Sequence, residues 1–208
     1  MKNQKVSEII SILKSLYSDA VCSLETGSPL QLLIATRLSA QCTDARVNLV
    51  TPVLFKRFPD VDAFAGADVS DIEEIIRSCG LYITKARDIR DMCAMLNERY
   101  GGKVPDTIEA LTELPGVGRK TANLIVGEVF GKPAIIADTH TIRLSNRLGL
   151  AAGKDAYKVE KSLKSLIPPE EQTKFCHRLV LHGRAVCKAQ KPDCANCALN
   201  KICPSSSK

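Results

Sequence analysis

Apolar residues recur at the spacing of an amphipathic helix from the beginning of the chain. The opening segment carries six of them at i, i+3, i+4 and i+7 intervals: Val6, Ile9, Ile10, Leu13, Leu16 and Tyr17. A helix with one apolar face is stable only when that face is covered. We therefore expect this first helix to pack on another part of the protein.

Proline, glycine and capping residues divide the rest of the chain into further helices. Pro29 opens the segment PLQLLIATRLSAQ, and Ser70-Asp71 precede a helix that stops at Gly80. The same spacing predicts helices over Tyr82–Tyr100 and in the segments IEALTEL, RKTANLIVGEVF, THTIRLSNRLGL and FCHRLVLHGRAVC. Only KPAIIAD offers a short apolar run, and its flanks suit a connector. The predicted fold class is all-α.

The length and composition are typical of an ordinary globular protein. The 208 residues are enough for one large domain or two small ones. With 45% hydrophobic and 25% charged residues, the chain is neither disordered nor collagen-like. No apolar run approaches the roughly 18 residues of a membrane span, and the charged, serine-containing N-terminus does not resemble a signal peptide. We expect a soluble intracellular protein.

The net charge of +6 is unevenly distributed. Residues 1–114 contain 13 Lys and Arg against 16 Asp and Glu, whereas residues 115–208 contain 16 against 7. A basic half favours a polyanionic partner such as nucleic acid. Charge alone is equally compatible with a soluble protein that binds no polyanion.

Four of the nine cysteines lie close together near the C-terminus, with the spacing C-x6-C-x2-C-x5-C: Cys187, Cys194, Cys197 and Cys203. The other five are scattered among apolar stretches, where cysteine acts as a small hydrophobe. An odd total and one compact group argue against a disulfide framework and for a metal site. Thiolates at this spacing suit zinc or an iron–sulfur cluster equally well.

A tight turn, Pro115-Gly116-Val117-Gly118, joins two predicted helices and is followed at once by Arg119 and Lys120. Such a turn presents backbone N–H groups at a helix N-terminus, where a phosphate oxygen binds well. An ordinary connection between two antiparallel helices has the same form. The basic pair favours a helix-hairpin-helix motif that contacts the DNA backbone.

Lys120 and Asp138 are the candidate catalytic residues. Most lysines are only surface charges, but Lys120 lies in the first turn of the predicted helix and off its apolar stripe, which consists of Ala122, Ile125, Val126, Val129 and Phe130. In that first turn the helix dipole and Arg119 both disfavour the ammonium form, and a free amine is a nucleophile. Asp138 fits an N-cap on spacing alone. Its carboxylate could also stabilise a cationic sugar in glycosidic chemistry.

Taken together, these features resemble the endonuclease III family of helix-hairpin-helix, iron–sulfur DNA glycosylases and AP lyases. The resemblance rests on LPGVGRKTAN, on an aspartate eighteen residues after its lysine, on the cysteine spacing, and on LSAQCTD (Leu38–Asp44) and GLYITKA (Gly80–Ala86). It covers nearly the whole chain. Cys42 stands where the family would have another small residue.

The resemblance implies two helical domains with a cleft between them. A six-helix domain containing the hairpin would span residues 22–132, and both termini, 1–21 and 133–208, would form an iron–sulfur domain. Lys120 and Asp138 would lie on opposite walls of the cleft. Gln41 and Leu81 would fill the gap left by an extruded nucleotide, whereas the sequence without the resemblance favours a helix-end glutamine and a core leucine. The implied DNA contacts are Gln41, Leu81, Gly116, Val117, Gly118, Arg119, Lys188 and Lys191.

The implied activity is base excision repair of double-stranded DNA. Lys120 would displace an oxidised pyrimidine and form a Schiff base with the sugar, Asp138 would stabilise the developing charge, and β-elimination would cut the strand on the 3′ side. The four C-terminal cysteines would bind a 4Fe-4S cluster that holds the basic loop against phosphates. The resemblance also implies a monomer in the cytoplasm of a prokaryote, associated with the nucleoid and not with a membrane.

Two other functions are compatible with parts of the pattern. An adenine or mismatch glycosylase of the same superfamily would share the fold and the cluster, but the adenine type lacks the lysine nucleophile and usually has a further recognition domain. A DNA-binding module without catalytic activity would use the hairpin and the cluster. It would leave the pairing of Lys120 with Asp138 unexplained.

Overall fold

A computed structural model describes residues 2–206, and this part of the chain is helical, with no β-strand. The prediction of an all-α fold is confirmed. In chain order the helices are α1 (Lys2–Leu16), α2 (Pro29–Leu38), α3 (Asp44–Arg57), α4 (Val61–Ala65), α5 (Val69–Ile76), α6 (Tyr82–Tyr100), α7 (Ile108–Glu113), α8 (Arg119–Phe130), α9 (Thr139–Leu148), α10 (Ala156–Leu166) and α11 (Gln172–Ala185). Short 3-10 turns cover Arg77–Cys79, Pro169–Glu171 and Asn200–Ile202. None of the helices in the described range is long and apolar enough to cross a membrane.

Side-chain caps fix where many of these helices begin. In six of them the residue before the first turn accepts a hydrogen bond from a backbone N–H of that turn: Ser28, Thr43, Asp60, Thr107, Asp138 and Asp155. Each such cap stabilises its helix by about 1 kcal/mol. The predicted start of α5 is wrong, because the helix begins at Val69 and Ser70 lies inside its first turn.

The chain forms two compact units. Ser23–Phe130 contains α2 to α8, in which α4 and α5 pack on α6, and α2 and α7 pack on α8. Its core includes fully buried Leu33, Phe64 and Ile125. The assignment of residues 22–132 to a hairpin domain, and of 1–21 with 133–208 to an iron–sulfur domain, stays a prediction.

The second unit combines the residues up to Cys22 with those from Gly131 onward. Here α11 packs against α1 and α9, so the first amphipathic helix has the partner that its apolar face required. Ile9 and Leu13 are fully buried, as predicted. Leu16, the last residue of α1, is 49% exposed, although the predicted apolar stripe includes it.

A buried ion pair fixes the start of α11 within this second unit. Arg178, 2% exposed, donates a 2.5 Å hydrogen bond to one carboxylate oxygen of Glu171, and Lys14 of α1 donates to the other at 2.9 Å. Burial raises the pKa of Glu171, but the hydrogen bonds from the two cations outweigh it and hold the pKa below its usual value. The pair therefore links α1 to the segment that opens α11.

Candidate functional site

The turn between α7 and α8 has the tight geometry expected of a helix-hairpin-helix motif. Val117 is buried, and its N–H donates to the Leu114 carbonyl at 3.1 Å. Gly116 has a φ of +73°, whereas Gly118 is not in the left-handed region. Only Gly116 of the two glycines is therefore required by its backbone conformation. Since α8 begins at Arg119, the N–H groups of its first turn have no acceptor within the helix.

Lys120 is exposed, and it is the second residue of α8. The buried side of this helix includes Ala122, Ile125 and Val126, as the apolar stripe predicted. Val129 and Phe130 are only half-buried, because they fall in the last turn, where the unit ends. Lys120 thus lies directly beyond the hairpin with its side chain accessible to a ligand.

Asp138 is the N-cap of α9. Its Oδ1 accepts a hydrogen bond from the Thr141 N–H at 2.6 Å, and its side chain is half-buried. The capping interpretation of this residue is confirmed. Nearby, burial lowers the pKa of His140, while the Asp138 charge opposes that change. Asp138 belongs to the unit with the chain termini, and Lys120 belongs to the Ser23–Phe130 unit.

All four C-terminal cysteines line one cavity, together with Arg147. Burial raises the pKa of Cys197, and the nearby sulfurs of the other three cysteines raise it further because thiolates repel one another. No three His, Cys, Asp or Glu side chains within residues 2–206 are placed to bind one metal ion. The structure nevertheless brings the four predicted ligands to one cavity.

Two arginines of α9 hold the beginning of the cysteine loop. Arg147 donates to Cys187 Sγ at 3.2 Å and to the carbonyls of Lys188 and Ala189 at 2.7 and 2.9 Å. Arg143 donates to the Cys187 carbonyl at 3.1 Å. The loop that carries the predicted basic residues is therefore anchored to α9 through its backbone.

The side chains of Lys188 and Lys191 are exposed, as a phosphate contact requires. Lys191 has a φ of +50°, a conformation that few residues other than glycine adopt. The left-handed residue turns the chain directly before Pro192. The loop thus presents both lysines to solvent while Arg147 holds its backbone.

Gln41 and Leu81 also have left-handed backbones, with φ values of 53° and 49°. Both are exposed, and Leu81 is one of the few large apolar side chains that are more than half accessible, at 54%. An exposed leucine in a strained turn gains nothing from the core. The interpretation of Leu81 as a core residue, which the sequence alone favours, is wrong.

The sequence patterns do not identify the residues that support the cysteine loop and the hairpin. Arg143 and Arg147 were not singled out, although their i, i+4 spacing places both on one face of the helix that follows Asp138. An ion pair between Arg37 and Asp88, which lies against Gly116, joins residues fifty-one positions apart and leaves no local pattern.

Comparisons with known proteins match nearly the whole chain. A model of the HhH-GPD superfamily of base excision DNA repair proteins matches residues 34–169. Endonuclease III of Synechocystis sp. is 48% identical over 206 residues, covering 99% of this chain and 94% of the relative. Endonuclease III of Bacillus subtilis is 44% identical, covering 90% and 86%. The solved structure of a trapped endonuclease III–DNA covalent intermediate has a TM-score of 0.94 at 43% identity, covering 99% of this chain and 97% of that one.

Proposed function

Because the chain belongs to the HhH-GPD superfamily of base excision DNA repair proteins, we propose that it is a DNA N-glycosylase and abasic-site lyase. Its substrates would be oxidised or ring-saturated pyrimidines in double-stranded DNA, and bare abasic sites. The observation that carries this proposal is the exposed Lys120 directly after a helix-hairpin-helix turn. The similar endonuclease III was trapped as a covalent intermediate with DNA, which requires a nucleophile on the protein.

Lys120 supplies that nucleophile. Its free amine attacks C1′ of the damaged nucleotide, the bond from C1′ to the base breaks, and the base leaves with the electron pair. Loss of a proton from nitrogen, and cleavage of the C1′–O4′ bond with uptake of a proton by O4′, give a protonated Schiff base at C1′. This iminium acidifies the C2′ proton, so removal of that proton expels the 3′ phosphate by β-elimination and cuts the strand.

Asp138 acts on the same sugar through its charge. Positive charge develops at C1′ as the base departs, and a carboxylate close to an oxocarbenium-like centre lowers the barrier. The backbone hydrogen bond from Thr141 N–H holds the carboxyl group in one orientation. A residue that caps a helix is therefore also suited to a fixed electrostatic role.

The proposed contacts that bind the DNA backbone do not depend on the damaged base. The N-terminal N–H groups of α8 in the hairpin bind a phosphate, and Lys188 and Lys191 add positive charge from the cysteine loop. These contacts set position and not sequence. An extruded base then brings the sugar within reach of Lys120. We propose that a single chain is sufficient, working on the nucleoid of a bacterial cytoplasm.

The four cysteines are proposed to bind a 4Fe-4S cluster. Thiolates are the usual ligands of such clusters, and here the four cysteines line one cavity. The same cysteine spacing would also suit zinc, and the family resemblance favours the cluster. The cluster takes no part in the sugar chemistry. A bound cluster would stabilise the basic loop, whose backbone also accepts hydrogen bonds from Arg147.

Trapping with a reductant tests the proposed function. During reaction with thymine glycol or abasic duplexes, the reductant should convert the Schiff base to a stable protein–DNA adduct. Lys120→Gln should abolish both the adduct and strand cleavage, while binding to abasic DNA persists. Lys132→Gln, the next lysine along the chain, is the control and should trap normally. An undiminished adduct with Lys120→Gln would place the nucleophile elsewhere.

A further inference from the structure

Lys85 is a fully buried lysine that none of the proposed steps uses. It lies in the first turn of α6 with no exposed surface. Its ammonium nitrogen donates to the Leu38 carbonyl at 2.7 Å and to the Cys79 carbonyl at 2.8 Å. Burial lowers the pKa of Lys85. A charged group is kept in a protein interior only where hydrogen bonds offset its desolvation.

The two carbonyls belong to the segments that lead into Gln41 and Leu81. Leu38 is the last residue of α2, three positions before Gln41, and Cys79 ends a 3-10 turn two positions before Leu81. Burial, followed by the neighbouring Cys42 thiol, raises the pKa of Cys79. The Lys85 nitrogen is therefore hydrogen-bonded to the backbone just before each of the two turns.

Both turns need such support. Gln41 and Leu81 are not glycine, yet both have left-handed φ values, which cost about 1 kcal/mol or more each. Strained residues persist only where their surroundings hold them. The two side chains are exposed, so their own packing in the core does not provide the restraint. The restraint must act on the backbone beneath them.

We propose that Lys85 is a positioning residue for nucleotide extrusion, which holds the Gln41 and Leu81 turns at a fixed spacing so that both side chains enter the duplex together. This inference rests on the proposed function, in which these two residues fill the gap. The Leu38 carbonyl is one of the last acceptors of α2, which have no partner within the helix. The Lys85 side chain is long enough to donate to the Leu38 carbonyl and to the Cys79 carbonyl at the same time.

Lys85→Met tests this role, because methionine keeps an unbranched apolar chain and removes the nitrogen that donates both hydrogen bonds. Two substrates separate extrusion from chemistry: a thymine glycol duplex, which requires extrusion, and a single-stranded abasic oligonucleotide, which does not. At saturating protein, base release from the duplex should fall about tenfold or more, the loss typical of a charged hydrogen bond. Trapping on the single strand should stay unchanged. Lys56→Met, the same substitution at an exposed position, is the control.

A double variant distinguishes positioning from general destabilisation. If Lys85 acts through Leu81, adding Lys85→Met to Leu81→Ala should cost little beyond the larger single loss. If the losses of activity in the double variant were additive, or if Lys85→Met lost equal activity on both substrates, the positioning role of Lys85 would be overturned. If Lys85→Met does not fold, Lys85→Gln, which keeps amide donors, is measured in the same way. Failure of both to fold would assign Lys85 to stability alone.

The outcomes also separate this inference from the proposed function. Absence of trapping by the unaltered protein on every abasic substrate would reject the proposed function, and this inference with it. Normal trapping by the unaltered protein, with equal duplex processing by Lys85→Met, would reject the role of Lys85 alone.

Discussion

Asp88 Oδ2 accepts a hydrogen bond from Arg37 Nε at 2.8 Å, and the same oxygen lies 2.6 Å from Arg37 Nη2 in an ion pair. This ion pair lies directly against the hairpin glycine. A Cβ atom added to Gly116 would come within 2.6 Å of Arg37 Nε and 2.7 Å of Asp88 Oδ2. The hairpin can approach α2 and α6 this closely only because Gly116 has no side chain.

Gly116→Ala should therefore destabilise the hairpin for two reasons. Alanine is strained at a φ of +73°, and its methyl group would displace the ion pair. We expect a loss of about 2 kcal/mol in the free energy of unfolding. Gly118→Ala is the matched control for stability, because a Cβ there would meet nothing within 4 Å. Denaturant unfolding measures both. Equal stabilities of the two variants would show that the close approach is unimportant.

The hairpin also shows what could be predicted from the sequence. The spacing of Gly116, Gly118 and Lys120 predicted a turn and a following helix, because these are local patterns. The Arg37–Asp88 pair beneath it could not be predicted, since it depends on how α2 and α6 pack. Helix α10 was missed, although Asp155 caps it, because its apolar residues lie among lysines and serines.

At the cysteine site, too, local sequence patterns predict one part, and the other part depends on tertiary packing. The spacing predicted a metal site but did not choose between zinc and an iron–sulfur cluster, because both use thiolates. The contribution of Arg147 to the loop depends on α9 and the C-terminal segment lying together, which only the structure shows. Short-range patterns thus identify ligands, and tertiary packing identifies the residues that hold them.

Metal analysis of the protein, and of a variant that lacks one proposed ligand, should distinguish an iron–sulfur cluster from a zinc ion. The purified protein should contain about four irons per chain and be yellow-brown. Cys197→Ser should lower the iron content and the stability of the C-terminal region, because ligand binding and local folding are coupled. Cys22→Ser removes a cysteine outside the cavity and should retain the iron. Metal analysis giving one zinc and no iron in the unaltered protein would contradict the proposed cluster.

Glu171 should make stability depend on pH in the acid range. Since its pKa is lower in the folded protein than the usual 4.5, the carboxylate contributes stability above pH 4.5. That contribution is lost as the pH falls through the lower folded-state pKa. Glu171→Gln should lose about 3 kcal/mol at pH 7, because Arg178 stays buried without its partner, and should unfold with a weaker pH dependence below pH 4.5.

Glu170→Gln is the control for this effect. Glu170 is adjacent in sequence but exposed, so its loss should change neither the stability at pH 7 nor the acid response. Thermal unfolding at a series of pH values between 3 and 7 measures all three proteins. If Glu171→Gln and the unaltered protein lost stability in parallel on acidification, other carboxylates would be responsible.

Asp138 allows its structural and chemical roles to be separated by two substitutions. Asp138→Asn keeps an oxygen that can accept the Thr141 N–H, so the cap on α9 should survive. Asp138→Ala removes the cap and should cost about 1 kcal/mol of stability. Both remove the charge, and both should slow base release from thymine glycol by about a hundredfold. Trapping on a pre-formed abasic site should fall less, because no glycosidic bond remains to be broken. Unfolding and single-turnover assays together decide the matter: an Asp138→Asn variant with full base release would leave the carboxylate with the cap as its only role.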